Sequence, residues 1–458
     1  MSAMPGGTAL PGGTEDHAMR RRPPSLQDPA GRLGLFTLLY LYQGVVAGFA
    51  LTALANHFAA AGASTAEVGR HLAVVGLPWV LQPLLWGPVI DRAAPRRMGA
   101  RRFWLVLALA CAQASLAGLL LLGPAASLTA VSMVLLLHSL SASLADTATD
   151  RMIAGSVPAE ALGRISAATR AGFVIGSAAG AALFAWILGT WGFPAAAAAL
   201  LGVTTPPALV ALLVREAPGD RFLSLRRDGP APLPERGGAA ETAAFARRLL
   251  AAFRSREAAT LLALCFAVDG GLALFQVPFA VALVQVHGWE AGALSRLQAM
   301  LALLGGTLGA AGIGAYVDRA GPGRALRALL LACAAAFGVA GLLIAAGLGA
   351  TTGPFILGLS SVVPALLYVA LLPAVLLASR AGRASATQFQ VYMAAMNLGD
   401  VAGSGLAGPL ASVVGPAVVA LGVAGLFLAC ARAAGSGPPR PSSTISASDR
   451  AGRAGGTP

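Results

Sequence analysis

The chain has 458 residues, of which 57% are hydrophobic and only 11% charged, a composition that excludes an ordinary soluble protein and fits an integral membrane one. The net charge of +13 comes from arginine alone, because the sequence contains no lysine. The arginines fall in alternate segments between apolar runs, which excludes a nucleic-acid face, and the missing lysine excludes a phosphate-binding loop and direct ATP hydrolysis.

Residues 1–33 are rich in Gly, Pro and Arg, lack the apolar core of a signal peptide, and read as a disordered cytoplasmic tail. Twelve apolar windows follow, at 34–58, 67–90, 103–123, 128–153, 163–188, 194–214, 260–286, 292–316, 325–347, 353–378, 385–410 and 413–432. Each is long enough to cross the roughly 30 Å hydrocarbon layer as a helix. The expected fold is all-α: twelve transmembrane helices in two six-helix halves, 34–214 and 260–433, joined by a cytoplasmic linker at 215–259. Residues 434–458 form a second disordered tail. Placing both termini and the linker in the cytoplasm puts every arginine except Arg70, Arg170 and Arg296 on the inner side or at its edge.

The first window carries Tyr40, Tyr42 and Gln43, neutral groups able to hydrogen-bond a solute. The second ends in Gly87-x3-Asp91-Arg92. Arg96, Arg97, Arg101 and Arg102 behind it are explained by inner-side anchoring alone. In the fourth, Ser139, Ser143, Asp146 and Asp150 share one helix face. Asp146 lies roughly 10 Å inside the boundary at 1.5 Å per residue, where a carboxylate costs on the order of 3 kcal/mol. That cost calls for a water-filled pathway, a cationic partner or protonation. Arg170, in the fifth window, falls at the depth of the two aspartates, and an Arg–Asp pair is expected there. His138 reads as a packing residue.

The linker opens with Pro, Gly and Arg. It ends in a stretch, 241–256, whose Phe245, Leu249, Leu250 and Phe253 oppose Arg247, Arg248, Arg254 and Arg256, the pattern of a helix lying on an anionic membrane surface. In the second half, Asp269 has no cation within two turns, so it suits reversible protonation in a low-dielectric cavity. Gln276, Tyr368, Gln388 and Tyr392 are further candidates for solute contact. Asp400 stands among Gly399, Gly403 and Gly405, so tight packing competes with a role in coupling. The four cysteines lie in separate apolar runs without metal or disulfide spacing. No metal or cofactor is expected.

The halves repeat one another. Gln43-Gly44 answers Asp269-Gly270, and Gly87-x3-Asp91-Arg92 answers Gly314-x3-Asp318-Arg319. Arg164-x-Ser166 answers Arg383-x-Ser385, and Gly176-x3-Gly180 answers Gly399-x3-Gly403. Such parallel repeats are a construction of transporters.

The stretch Gly314-Ala-Tyr-Val-Asp318-Arg319-Ala-Gly321-Pro-Gly-Arg324 resembles the loop signature of the major facilitator superfamily; the first copy departs from it after Arg92. Further pieces resemble the muropeptide permeases and related siderophore importers of that superfamily. They are Leu39-Tyr-Leu-Tyr-Gln43-Gly44, Gly76-Leu-Pro-Trp-Val-Leu-Gln-Pro-Leu-Leu-Trp86-Gly-Pro88, Asp146-Thr-Ala-Thr-Asp150, Thr387-Gln388-Phe389 and Asn397-Leu-Gly399-Asp400. The resemblance implies alternating access, a cavity lined by the seventh helix with Asp269, and a cytoplasmic gate at the Asp-Arg motifs. In it Asp318 would accept from helix N-terminal amides or pair with arginine. The expected function is proton-coupled transport of a small or medium polar solute across the inner membrane by a monomer, with a siderophore or muropeptide-like compound as the implied cargo. Efflux by the same fold, and a non-transporting sensor, are the alternatives; a membrane-embedded enzyme is excluded because no loop gathers a catalytic set.

Overall fold

The computed structural model describes residues 25–91, 97–226, 253–348, 351–380 and 385–435, together with 247, 250 and 251. Apolar chain in hydrocarbon must satisfy its own backbone, which leaves helices as the available solution here. The described residues form helical rods and no strand beyond an isolated bridge between Ser25 and Arg215.

The rods are α1 (Pro29–Ala60), α2 (Thr65–Asp91), α3 (Ala100–Leu121), α4 (Leu128–Ser156), α5 (162–191), α6 (193–213), α7 (Arg256–Gln285), α8 (Ala291–Ala320), α9 (Pro322–Ala345), α10 (Gly353–Arg380), α11 (Ser385–Ala411) and α12 (Pro416–Gly435). The turn between α5 and α6 is a single residue, Gly192, at φ 77°, a conformation that glycine adopts without steric cost. Among the described residues nine helices are long and apolar enough to cross a membrane. That number takes the 162–213 run as one helix and omits α2 and α11, which pack against each other across the halves.

Side chains define the starts. Asp28 accepts from Gly31 N (2.8 Å), Ser127 from Ala130 N (3.2 Å), Ser255 from Ala258 N (3.1 Å), and Glu290 from Gly292 N and Ala293 N (both 2.8 Å), each satisfying amides that a helix leaves open. The Asp28 cap and Pro29 start α1 ahead of the expected boundary at 34. Residues 25–33 are therefore ordered, with Leu26 N donating to Arg215 O (2.9 Å). The stretch 215–226, expected to be open linker, is tied to the first half as well. Arg221 N donates to Arg97 O (2.7 Å), and Glu216 accepts from the backbone of Arg101 and Arg102 (both 3.1 Å). Arg102 is fully buried and donates to Met98 O (3.1 Å), Arg221 O (3.3 Å) and Leu212 O. Surface anchoring does not describe it: the side chain holds the end of α6 against α3. The tails 1–24 and 436–458, Arg92, and most of the 241–256 stretch lie outside the described residues.

The sequence repeat is visible as two glycine crossings. In the first half α1 meets α5. A Cβ on Gly44 would lie 2.2 Å from Phe173 O, one on Gly48 2.1 Å from Ser177 O, and one on Gly176 2.3 Å from Leu41 O. In the second half α7 meets α11. A Cβ on Gly399 would lie 2.1 Å from Phe266 O and one on Gly403 2.3 Å from Gly270 O. Small residues that let backbones touch are the usual device for helix association in lipid.

Between the halves contact is uneven. At the arginine-poor end Asn56 donates to Ser295 Oγ (2.9 Å) and Gln298 Oε1 (2.7 Å), and Gln285 donates to Ala59 O and Ala63 O (both 2.8 Å). There α2 and α11 touch, since a Cβ on Gly69 would lie 2.2 Å from Ser404 O and one on Gly408 2.2 Å from Ala66 Cα. Farther along α2, the one described residue within 4 Å of such a Cβ on Gly87 is Arg151, of its own half. The halves are clasped at one end and part towards the arginine-rich end.

Gly176→Val is expected to remove the folded protein, because a side chain there meets backbone rather than a movable group, at a cost of about 3 kcal/mol or more. Gly34→Ala, with nothing within 4 Å, should be neutral. Yield of monodisperse protein on size-exclusion chromatography measures both.

Candidate functional site

Two cavities of about 550 and 470 Å³ lie between the halves, within the range of small-molecule sites. Arg170, Phe173, Tyr368, Asn397 and Asp400 line both, so the two are chambers of one space. The first chamber also takes in Asp269 and Gln276 and reaches Asn56 and Gln298 of the clasp. The second is walled mainly by the first half and includes Tyr40, Gln43, His138 and Ser139.

Asp146 and Asp150 line neither chamber. They sit behind the wall and are held by neutral donors. Gln43 Nε2 donates to Asp146 Oδ1 (3.1 Å), Gln82 Nε2 to Asp146 Oδ2 (2.7 Å), and Tyr40 OH to Asp150 Oδ1 (2.8 Å). Trp86 Nε1 closes the cluster on Ser143 Oγ (2.8 Å). The expected pathway face is thus only half realised: Ser139 reaches the cavity, and the two carboxylates reach it through Tyr40 and Gln43.

Arg170 does not pair with them. Its guanidinium lies over the Tyr368 ring, 4.7 Å from the centroid, with Phe173 at 5.8 Å, a cation–π arrangement that joins α5 of one half to α10 of the other. No carboxylate among the described residues lies within ion-pair distance of it. The expected Arg–Asp pair is not made, because the rotation of α5 turns Arg170 to the central space, where it meets Tyr368.

Asp269 and Asp400 both face the first chamber, and neither has a hydrogen-bond or ion-pair partner among the described residues. Close packing on α11 is carried by Gly399 and Gly403, which leaves Asp400 directed into the cavity. His138 is buried, with Nδ1 3.3 Å from Ala112 O, as expected of a packing residue, although its ring edge reaches the second chamber.

Two candidates are corrected. Tyr392 is fully buried with its ring 5.3 Å from that of Phe253, and Gln388 is buried beside it. Both belong to the core of the second half, and Phe253 is spent on that core rather than on lipid. At the gate motif Asp318, Arg319 and Arg324 are exposed, and Asp318 makes no hydrogen bond or ion pair among the described residues. A Cβ on Gly314 would sit an ordinary 4.0 Å from Val369 Cγ1, so the expected tight approach is not made. Gly321, at φ 85°, supplies the turn from α8 into α9. The expected latch is therefore unmade at the end where the halves part. Gly87 belongs to α2, while the Asp91 side chain and Arg92 lie outside the described residues.

Sequence reasoning missed the clasp residues Asn56, Gln285, Ser295 and Gln298, as well as Gln82 and His71. Buried His71 bonds Ala50 O through Nε2 (2.9 Å) and Ser132 Oγ through Nδ1 (2.8 Å). Ala50 belongs to a π-helical turn, Gly48–Ala53, so His71 staples α1, α2 and α4 at that turn. The available signal was a lone amide or imidazole within an apolar run.

The Major Facilitator Superfamily model matches residues 33–392, whereas no curated protein matches the sequence. Among solved structures, the nucleoside transporter NupG is 16% identical with a TM-score of 0.60, covering 88% of this chain and 98% of that one. A POT family transporter in complex with 5-aminolevulinic acid is 13% identical with a TM-score of 0.64, covering 89% and 97%. The human organic anion transporter MFSD10 is 18% identical with a TM-score of 0.59, covering 89% and 100%. At these identities the likeness is one of fold. With the family model spanning most of both halves, the chain belongs to the major facilitator superfamily and is a membrane transporter rather than an enzyme.

Proposed function

We propose that this protein is a proton-coupled secondary transporter of a small or medium polar solute, working by alternating access in the inner membrane with both termini and the 215–259 segment in the cytoplasm. In that orientation the clasp closes the outer side and the cavity opens inwards. The observation that carries the reading is Asp269, a carboxylate with no hydrogen-bond or ion-pair partner among the described residues, facing the central cavity. A carboxylate inside the membrane costs on the order of 3 kcal/mol, which a paired one offsets through its partner and an unpaired one offsets by taking a proton. Asp146 and Asp150, wrapped by Gln43, Gln82 and Tyr40, instead act as a fixed polar base beneath the second chamber.

Cavity size and its mixture of charges and amides support a polar cargo. Proteins of the same fold are a nucleoside transporter and peptide transporters by name. The resemblance of the Asp146–Asp150 and Asn397–Asp400 stretches to muropeptide and siderophore permeases supports import of a compound of that kind.

Reporter fusions after Arg226 and Arg440 should both read as cytoplasmic, because almost all arginines then lie on the inner side; a periplasmic signal from either would invert the proposed orientation.

Asp269→Asn should abolish uphill uptake driven by an imposed pH gradient while leaving counterflow within about twofold of wild type, since only the proton step depends on the acid. Uptake in proteoliposomes with and without the gradient distinguishes the two activities. Gradient-driven accumulation by Asp269→Asn would remove that residue from coupling.

A further inference from the structure

The central cavity carries three charged side chains without an ion-pair partner among the described residues, Arg170 from the first half and Asp269 and Asp400 from the second, and of these Arg170 and Asp400 line both chambers. Arg170 projects from α5 into both chambers, and its partners among the described residues are the rings of Tyr368 and Phe173. A cation–π contact offsets only part of the cost of an arginine at membrane depth. Lying over Tyr368, the guanidinium keeps N–H donors for a forked contact with a planar oxyanion. Asp400 projects from α11 into both chambers too. The glycines on either side carry the helix packing, so the carboxylate is not needed for it.

We propose that the cavity binds a zwitterion, with the anionic group of the solute on Arg170 and its cationic group on Asp400. The inference rests on the transport reading above and names the chemistry of its cargo. A purely anionic solute would meet Asp400 and Asp269 as like charges, and a purely cationic one would meet Arg170. A zwitterion satisfies both sides. Because Arg170 and Asp400 sit on opposite halves, such a solute binds best when the halves approach, which gives it the differential affinity for the closed state that drives a conformational change. Asp269, confined to the first chamber, is left free to carry the proton.

The test uses three closely related compounds of different charge: L-alanyl-L-alanine with free termini, its N-acetyl derivative and its C-terminal amide. Thermal stabilisation of the detergent-purified full-length protein is measured across a concentration series. The free dipeptide should bind at least about tenfold more tightly than either blocked form, the worth of one charge-assisted hydrogen bond. Arg170→Gln should bring the dipeptide down to the level of the amide, and Asp400→Asn to the level of the N-acetyl compound. Arg170→Lys, which keeps the charge, should fall between, and it separates lost charge from lost folding. Equal binding of the N-acetyl compound and the dipeptide would overturn the proposal in favour of an anion site with Asp400 protonated. Stabilisation by none of the three would overturn it as well. A protein that accumulates solute under a pH gradient yet ignores all three keeps the transport reading and loses this one. Selective stabilisation by the dipeptide without gradient-driven uptake keeps the zwitterion site and loses proton coupling.

Discussion

Backbone touches backbone at two equivalent places in this molecule, where α1 crosses α5 and α7 crosses α11, and the polar interior is arranged around those contacts. Gln43 adjoins Gly44, Asp269 adjoins Gly270, Asp400 adjoins Gly399, and Arg170 precedes Gly172 by half a turn. A glycine buried in a crossing fixes the rotation of its helix, because no side chain separates the two backbones. The neighbouring residue then has no choice of face. The charges stand where they do because each is tied to a crossing that cannot rotate.

The same logic explains what was legible in the sequence. The repeated Gly-x3-Gly pairs of α5 and α11, and the polar-Gly pairs of α1 and α7, were legible as a repeat of the two halves, and the structure shows that they are the crossings. The arginine pattern marked the ends of the rods. Partner identity was less legible. The expected level of Arg170 with the α4 aspartates follows from 1.5 Å of rise per residue, but helix rotation depends on what the crossing buries. Gly172 and Gly176 face α1, which turns Arg170 to the cavity and leaves the α4 carboxylates to the amides of Gln43 and Gln82. Tyr392 and Gln388 looked equivalent to Tyr40 and Gln43 as single polar residues. They are buried in the second half because their face of α11 packs on Phe253 and the inner core.

The clasp was illegible for a related reason. Asn56, Ser295 and Gln298 are single polar residues in apolar runs, and such residues more often satisfy themselves locally. Here a π-helical turn precedes Asn56, at Gly48–Ala53, and another follows Gln298, at Leu301–Gly305. Each adds a residue to the turn and shifts the register of side chains beyond it, a feature common at functional positions. The shut end of the molecule is thus bracketed by two places where helix geometry changes, one in each half. The open end has the contrasting character, with Asp318 and Arg319 exposed and without a hydrogen-bond or ion-pair partner among the described residues.

Alternation between two closed ends is the central claim, and paired distances test it. Spin labels at Ala61 and His287 report the clasped end, and labels at Leu162 and Leu377 report the other, in protein lacking its native cysteines. Asn56→Ala removes two hydrogen bonds from the clasp, about 1 kcal/mol each. Pulsed dipolar measurements in nanodiscs should then show the Ala61–His287 distance lengthening as the Leu162–Leu377 distance shortens. If the first lengthens while the second stays fixed, or neither moves, the two ends are not coupled and the molecule does not alternate in this way.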